Sequence, residues 1–228
     1  MKVVMHMKHI IFDLDGTLLD SVAVWEHLGI EYLTQRKIQP KITPEQMDYE
    51  LEVRNLNEGA IYLKEEYPLS DSCEEIISAM LELVKDRYLA CAVKDPIYEK
   101  AILHQLKQDG YHLYVLTSSF ETIAKQCLQN HHLLSLFDAV ETISPGSSKA
   151  DGSAYQLFMQ KHQLAKEDVL VVEDALHAIR GVKSLGVKVI AIEELYFEMN
   201  LQSKDIADGY VKDYQALYKI IKESESRN

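Results

Sequence analysis

The chain has 228 residues, 47% of them hydrophobic, which is enough apolar material for a core and excludes a disordered segment. Lys and Arg number 24 against 36 Asp and Glu, a net charge of −12. So acidic a surface excludes nucleic acid as a partner, and a phosphorylated substrate would have to be met by cations gathered locally.

This length suits one or two domains of about 100–200 residues each. Cys73, Cys91 and Cys127 are widely spaced and form no CxxC, so they predict neither a disulfide framework nor a zinc site and suit a reducing cytoplasm. No long apolar run precedes Asp13, which predicts no signal peptide, and no run of 18 apolar residues predicts a membrane span. Met7 serves as a start as well as Met1 does. The expectation is a cytoplasmic protein, a monomer or weak homodimer, working without nucleic acid or membrane.

Ile10-Ile11-Phe12 reads as a short buried strand that ends abruptly in Asp13-Leu14-Asp15-Gly16-Thr17. Two carboxylates at i and i+2 leave the strand together, and Gly16 turns the chain just past them. From Asp20 or Ser21, either able to cap, Val22, Trp25, Leu28 and Tyr32/Leu33 recur at helical spacing. Pro40 and Pro44 interrupt. Residues 45–66 form a charged helix with a weaker stripe, and Ser70-Asp71-Ser72 caps a third helix carrying Ile76, Ile77, Met80, Leu81, Val84 and Tyr88. Residues 20–92 therefore read as an all-helical insertion, flanked by a core domain of residues 1–19 and 93–228.

From Asp95-Pro96 strands and helices alternate. Helices are expected at 97–109, 120–130, 153–163, 175–185 and 214–222. Strands are expected at 111–116, 139–143, 169–172, 187–192 and 209–211. Buried strands alternating with helices predict an α/β fold, a parallel sheet flanked by helices on both faces.

In such folds ligands lie outside the carboxyl ends of the strands. Asp13 and Asp15 stand at the first strand end, Thr117 and Ser118 at the second, Lys149 in the loop after the third, and Glu173 and Asp174 at the fourth. Hard oxygen ligands, hydroxyls and one lysine on a single edge suit phosphate chemistry with Mg2+. Each residue has a plainer reading. Asp15 could be a turn former, Ser118 and Asp174 helix N-caps, and Lys149 a surface lysine. His131-His132 and the other histidines show no ligand spacing.

Taken in order, these four motifs resemble those of the haloacid dehalogenase superfamily. Asp13-Leu14-Asp15-Gly16-Thr17 and Glu173-Asp174-Ala175 are particularly similar to its β-phosphoglucomutase and phosphoglycolate phosphatase-like branch. The resemblance implies a Rossmann-like core with a helical cap. It also implies that Asp13 is a nucleophile forming an aspartyl phosphate and that Asp15 is the acid/base. Thr117 and Ser118 would bind the phosphoryl oxygens, Thr117 through its side chain. Lys149 would bridge nucleophile and phosphoryl group. Mg2+ would be held by Asp13, Asp174 and the Asp15 carbonyl, with Glu173 either a further metal contact or a structural partner.

One departure stands out. The proline that often follows the motif lysine is replaced by Ala150-Asp151-Gly152, which predicts a looser loop with Asp151 as a competing charge. In the helical insertion Arg36, Lys37, Lys41 and Arg54 are candidate substrate contacts, Arg54 and Lys37 foremost. The resulting expectation is a Mg2+-dependent phosphatase of small phosphate esters. A phosphosugar mutase using the same residues is the alternative, and a non-catalytic phosphate-binding protein a third.

Overall fold

The computed structural model describes residues 8–52, 54, 56–193 and 200–226, so the choice between Met1 and Met7 lies outside the described residues. The chain divides into two compact units, with the breaks after Asp20 and after Cys91.

The larger unit is built on six strands: β1 (His9–Phe12), β2 (His112–Thr117), β3 (Ala139–Thr142), β4 (Val169–Glu173), β5 (Lys188–Ile192) and β6 (Gly209–Val211). Every pairing is parallel and the order is β3-β2-β1-β4-β5-β6. The chain runs outward from β1 through β2 to β3, then returns to start β4 on the other side of β1. That reversal opens a crevice at the carboxyl ends of β1 and β4. Central position explains why β1 is apolar after His9. Ile10, Ile11 and Phe12 are fully buried, each contributing about 1.5–3 kcal/mol.

Helices α5 (Glu99–Gln108), α6 (Glu121–Asn130), α7 (Ser153–Lys161), α8 (Leu176–Ser184), α9 (Asn200–Ile206) and α10 (Tyr214–Ser226) complete this unit. Strand alternation sends successive side chains to opposite faces. Ile11 packs with Tyr155 and Phe158 of α7 and Ile179 and Val182 of α8. Phe12 turns the other way and stacks on Tyr214 of α10, with ring centroids 6.3 Å apart. The parallel sheet with helices on both faces is as the strand–helix alternation predicts.

Two details differ. The helix expected from Ile97 starts at Glu99, because Asp95 Oδ1 accepts the Ile97 and Tyr98 amides (3.1 and 3.0 Å) and folds residues 96–98 into a turn. Helix α9 carries no apolar periodicity that would have announced it.

The smaller unit holds α1 (Leu28–Gln35), α2 (Pro44–Glu52), α3 (Leu56–Glu66) and α4 (Cys73–Ala90), and no strand among the described residues. The helix expected from Val22 is broken into a 3₁₀ turn, Val22–Val24, and α1. His27 stands between them with φ 61°, held there because Asp48 accepts from its backbone amide (2.7 Å) and contacts its ring (2.9 Å). The single helix expected over 45–66 is two. Ser72 caps α4 with a full capping box, Ser72 Oγ taking the Glu75 amide and Glu75 the Ser72 amide. Tyr32, Leu33, Met47, Leu63, Ile76 and Met80 form its core. Among the described residues no helix is long and apolar enough to cross a membrane.

Candidate active site

The turn after β1 is set by backbone bonds. The Leu18 and Leu19 amides donate to the Leu14 carbonyl (2.9 and 2.8 Å), and the Gly16 amide to the Leu19 carbonyl (2.8 Å). Gly16 sits at φ 77°, the left-handed region that glycine enters without strain. The Asp13 amide meanwhile still donates to the Val172 carbonyl at 3.0 Å. Asp13 is therefore delivered by the sheet itself, while Asp15 is delivered by the turn.

Asp13 is 6% exposed and Lys149, 6% exposed, donates from Nζ to Asp13 Oδ1. The same Nζ donates to Glu173 Oε1 at 2.9 Å. Glu173, 1% exposed, also accepts from the Tyr155 hydroxyl at 2.9 Å and, through Oε2, from the Ala175 amide at 2.9 Å. Both its oxygens are thus engaged. Glu173 contacts Lys149, with both roles expected of it, metal contact and structural partner, still open. Asp13, Glu173 and Asp174 nevertheless bring one carboxylate oxygen each within 4.8 Å of one another.

The electrostatics follow from the charge count. One buried ammonium faces two buried carboxylates, so one negative charge is left over. Burial pushes the Asp13 carboxyl up to about 7; Lys149 opposes the push, and Glu173 and Asp15 add to it. Burial by itself would lower Lys149, but Asp13 and Glu173 hold it well above its ordinary value. The ammonium therefore stays charged, and the unfavourable group is the second carboxylate.

Asp15 lies further out. Ser119 Oγ donates to Asp15 Oδ2 at 2.7 Å and Thr117 Oγ1 at 3.4 Å, while the Ser119 amide donates to Thr117 Oγ1 at 2.9 Å. Thr117 is fully buried and Ser119 is 8% exposed, but the Ser118 side chain is exposed. The seryl hydroxyl at Asp15 is thus that of Ser119, which sequence reasoning missed. Three consecutive hydroxyl residues look alike until the strand's alternation assigns their faces. Thr17 was also missed as a contact: its hydroxyl donates to Asp174 Oδ1 at 3.0 Å across 157 residues.

The plainer readings can be checked against the helix starts. Phe120, not Ser118, precedes the first turn of α6, and Ala175, not Asp174, precedes that of α8; neither helix start carries a side-chain cap bond. Lys149 is buried, not on the surface.

The loop holding Lys149 is not loose. The Ser148 amide donates to Ser153 Oγ (2.9 Å), and Asp151 Oδ1 accepts from the Ser153 hydroxyl (2.6 Å) and amide (2.8 Å). Asp151 is thus engaged by Ser153, whose bonds hold its carboxyl below its ordinary value. Helix α8 presses on this loop at Gly181, where a Cβ would stand 1.9 Å from the Lys149 carbonyl. Glycine at that point is what lets the helix and the loop approach so closely.

In the smaller unit Arg54 donates to Glu50 Oε2 at 2.6 Å and lies 4.6 Å over the Tyr62 ring. Arg36 pairs with Asp71 over the Tyr32 ring, and Lys41 lies 3.7 Å from Glu66 Oε2. Lys37 is exposed, at φ 58° just after α1. Three of the four candidate cations are therefore occupied by acids of their own unit.

The buried Asp–Lys–Glu cluster thus lies at the switch point of a doubly wound parallel sheet, where α/β proteins bind their ligands. Residues 10–192 match the haloacid dehalogenase-like hydrolases, and the chain belongs to that family. Among catalogued relatives, the phosphoglycolate phosphatase of Vibrio parahaemolyticus is 27% identical over 185 residues, 79% of this chain and 81% of its own length. That of Vibrio vulnificus is 29% identical over 191 residues, with the same shares. Among solved structures, CbbY from Rhodobacter sphaeroides in complex with phosphate superposes with a TM-score of 0.77 at 18% identity, covering 92% of this chain and 96% of that one.

Proposed function

We propose that this chain is a cytoplasmic, Mg2+-dependent phosphatase of small phosphorylated metabolites that works through an aspartyl phosphate. The observation that carries the reading is the buried Lys149 ammonium bonded at once to Asp13 and Glu173, with Asp174 adjacent. Asp13 Oδ attacks phosphorus as the bond to the leaving alcohol breaks, and Asp15 gives that alcohol its proton. Asp15 then takes a proton from water, whose oxygen attacks the same phosphorus and releases Asp13 and inorganic phosphate. Lys149 offsets charge on nucleophile and phosphoryl group. The Thr117 hydroxyl, with a Ser118 amide or hydroxyl, is assigned to the phosphoryl oxygens. Ser119 holds Asp15.

The residues present fit Mg2+. With Asp174 counted, three carboxylates face the one Lys149 ammonium, and the carboxylates offer only oxygen donors, which suits a hard divalent cation. Asp13, Asp174 and the Asp15 carbonyl would hold it, and when bound it would neutralise charge on the phosphoryl oxygens. The helical unit, inserted just after the first motif, is proposed as a cap that selects the leaving group, with Arg54 and Lys37 its candidate contacts.

The test is release of inorganic phosphate from p-nitrophenyl phosphate and a panel of metabolite esters, 2-phosphoglycolate first because two relatives bear its name. Turnover should need Mg2+, stop with EDTA, and fall at least 10³-fold in Asp13→Asn with an unchanged circular dichroism spectrum, on the order expected for losing a nucleophile. Full activity in that variant would overturn the scheme. Isomerisation of a sugar phosphate without phosphate release would make the chain a mutase.

A further inference from the structure

Residue 214 lies beyond the segment that matches the family, and beyond all four motifs, yet its hydroxyl reaches the first of them. Tyr214 opens α10 and is fully buried. A buried phenol needs a partner for its O–H, because an unmade hydrogen bond in the interior is unfavourable. Tyr214 donates to the Thr17 carbonyl at 2.9 Å. Thr17 is itself fully buried, and its own hydroxyl is the group that donates to Asp174 Oδ1 at 3.0 Å. One residue thus ties the last helix to a proposed metal ligand.

The rest of the turn is already held by other bonds. The Leu18 carbonyl accepts the Lys94 amide and the Asp20 amide donates to the Ala92 carbonyl, both at 2.9 Å. Those bonds fix the outgoing side of the turn. The Thr17 peptide lies between them and Asp15: on one side the Leu18 amide donates to the Leu14 carbonyl at 2.9 Å, and on the other the Thr17 carbonyl accepts the Tyr214 hydroxyl. Tyr214 is in turn fixed at three points. Its ring stacks on Phe12, the residue before Asp13. Its amide donates to Asp95 Oδ2 at 3.1 Å, while Asp95 Oδ1 holds the turn into α5. Its hydroxyl has the Thr17 bond.

We propose that Tyr214 is a positioning residue of the metal site, setting the Thr17 peptide so that the Thr17 hydroxyl aims Asp174. The inference rests on the Mg2+ site of the proposed function. Outer partners of this kind orient a ligand, and removing one typically costs about 10–100-fold in metal affinity. Tyr214→Phe keeps the ring, its stacking on Phe12 and the backbone bond to Asp95, and removes only the hydroxyl.

The experiment is Mg2+ binding to the substrate-free protein by titration calorimetry, with circular dichroism as the check on folding. Tyr214→Phe should raise the Mg2+ Kd about tenfold. Thr17→Val should raise it at least as much, and Thr17→Ser, which keeps the hydroxyl, should restore it. Tyr218→Phe is the control: it removes from the same helix a hydroxyl that donates to Asp109 at 2.9 Å, and it should leave the Kd unchanged. A Tyr214→Phe variant that binds Mg2+ like the wild type overturns this inference alone. A wild type that binds no Mg2+ overturns the proposed function and this inference with it. A Kd raised equally in Tyr214→Phe and Tyr218→Phe reduces the effect to the stability of α10 and also overturns the inference.

Discussion

The Arg54 pair of the helical unit and the Lys149 cluster of the sheet unit are built in opposite ways. In the helical unit Arg54 and Glu50 pair at 30% and 34% side-chain exposure, and Ser72 closes the start of α4 with a capping box. In the sheet unit Lys149 pairs with Asp13 and Glu173 at 6%, 8% and 1% exposure, and the helices that follow β2 and β4 begin without a side-chain cap. The first arrangement leaves each charge partly in water, where pairing gains little and costs little. The second retains unfavourable groups, a surplus buried carboxylate and helix starts without caps, where a phosphate and a cation would satisfy them.

Removing the ammonium is the largest way to test that contrast. Lys149→Met leaves Asp13 and Glu173 buried without their cation, so we expect a loss of about 3–5 kcal/mol of stability at pH 8 and turnover at background. Urea unfolding followed by circular dichroism measures the first, and phosphate release the second. An intact stability would mean that the two carboxylates do not depend on Lys149.

Glu99 gives a smaller effect, confined to one pH range. It is fully buried, with Oε1 lacking a hydrogen-bond partner and Oε2 accepting the Asp95 amide at 3.1 Å. Burial holds its carboxyl well above the ordinary value of 4.5, the Asp95 amide opposing. A raised carboxyl binds its proton more tightly in the fold, so its contribution is fully present below pH 4.5 and is lost as pH rises towards the folded value. Glu99→Gln should therefore melt above the wild type at pH 8, by about 1–2 kcal/mol, and alongside it at pH 4. Equal melts at both pH values would show that Glu99 reaches water.

Arg54→Ala should have the smallest effect on stability, below about 1 kcal/mol, because a half-exposed i,i+4 pair gains little over two solvated ions. If Arg54 also contacts the substrate's leaving group, KM for that ester rises while kcat for p-nitrophenyl phosphate stays. Unchanged constants for every ester would remove Arg54 from the candidate contacts.

Most of the sheet was legible because its strands are short apolar runs separated by amphipathic helices, a pattern that survives in one dimension. The places where reading failed share a cause. The break at His27 depends on Asp48, 21 residues away, and the start of α5 depends on how Asp95 divides its two oxygens. Ser119 could not be told from Ser118 until the end of β2 fixed which side chain turns inward. The Lys149 loop read as loose because its missing proline was visible and the close approach of Gly181 was not.

The sequence by itself determined which chemical groups are present and in what order along the chain: carboxylates ending one strand, hydroxyls the next, a lysine, then two more acids. Local physics is enough for that, since a strand must end and a glycine must turn. Only the tertiary structure decided which groups share a proton, a charge or a hydrogen bond. Asp13 meets Lys149 across 136 residues and Thr17 meets Asp174 across 157. Contacts at that separation follow from the strand order that places β4 beside β1, and no local periodicity encodes them.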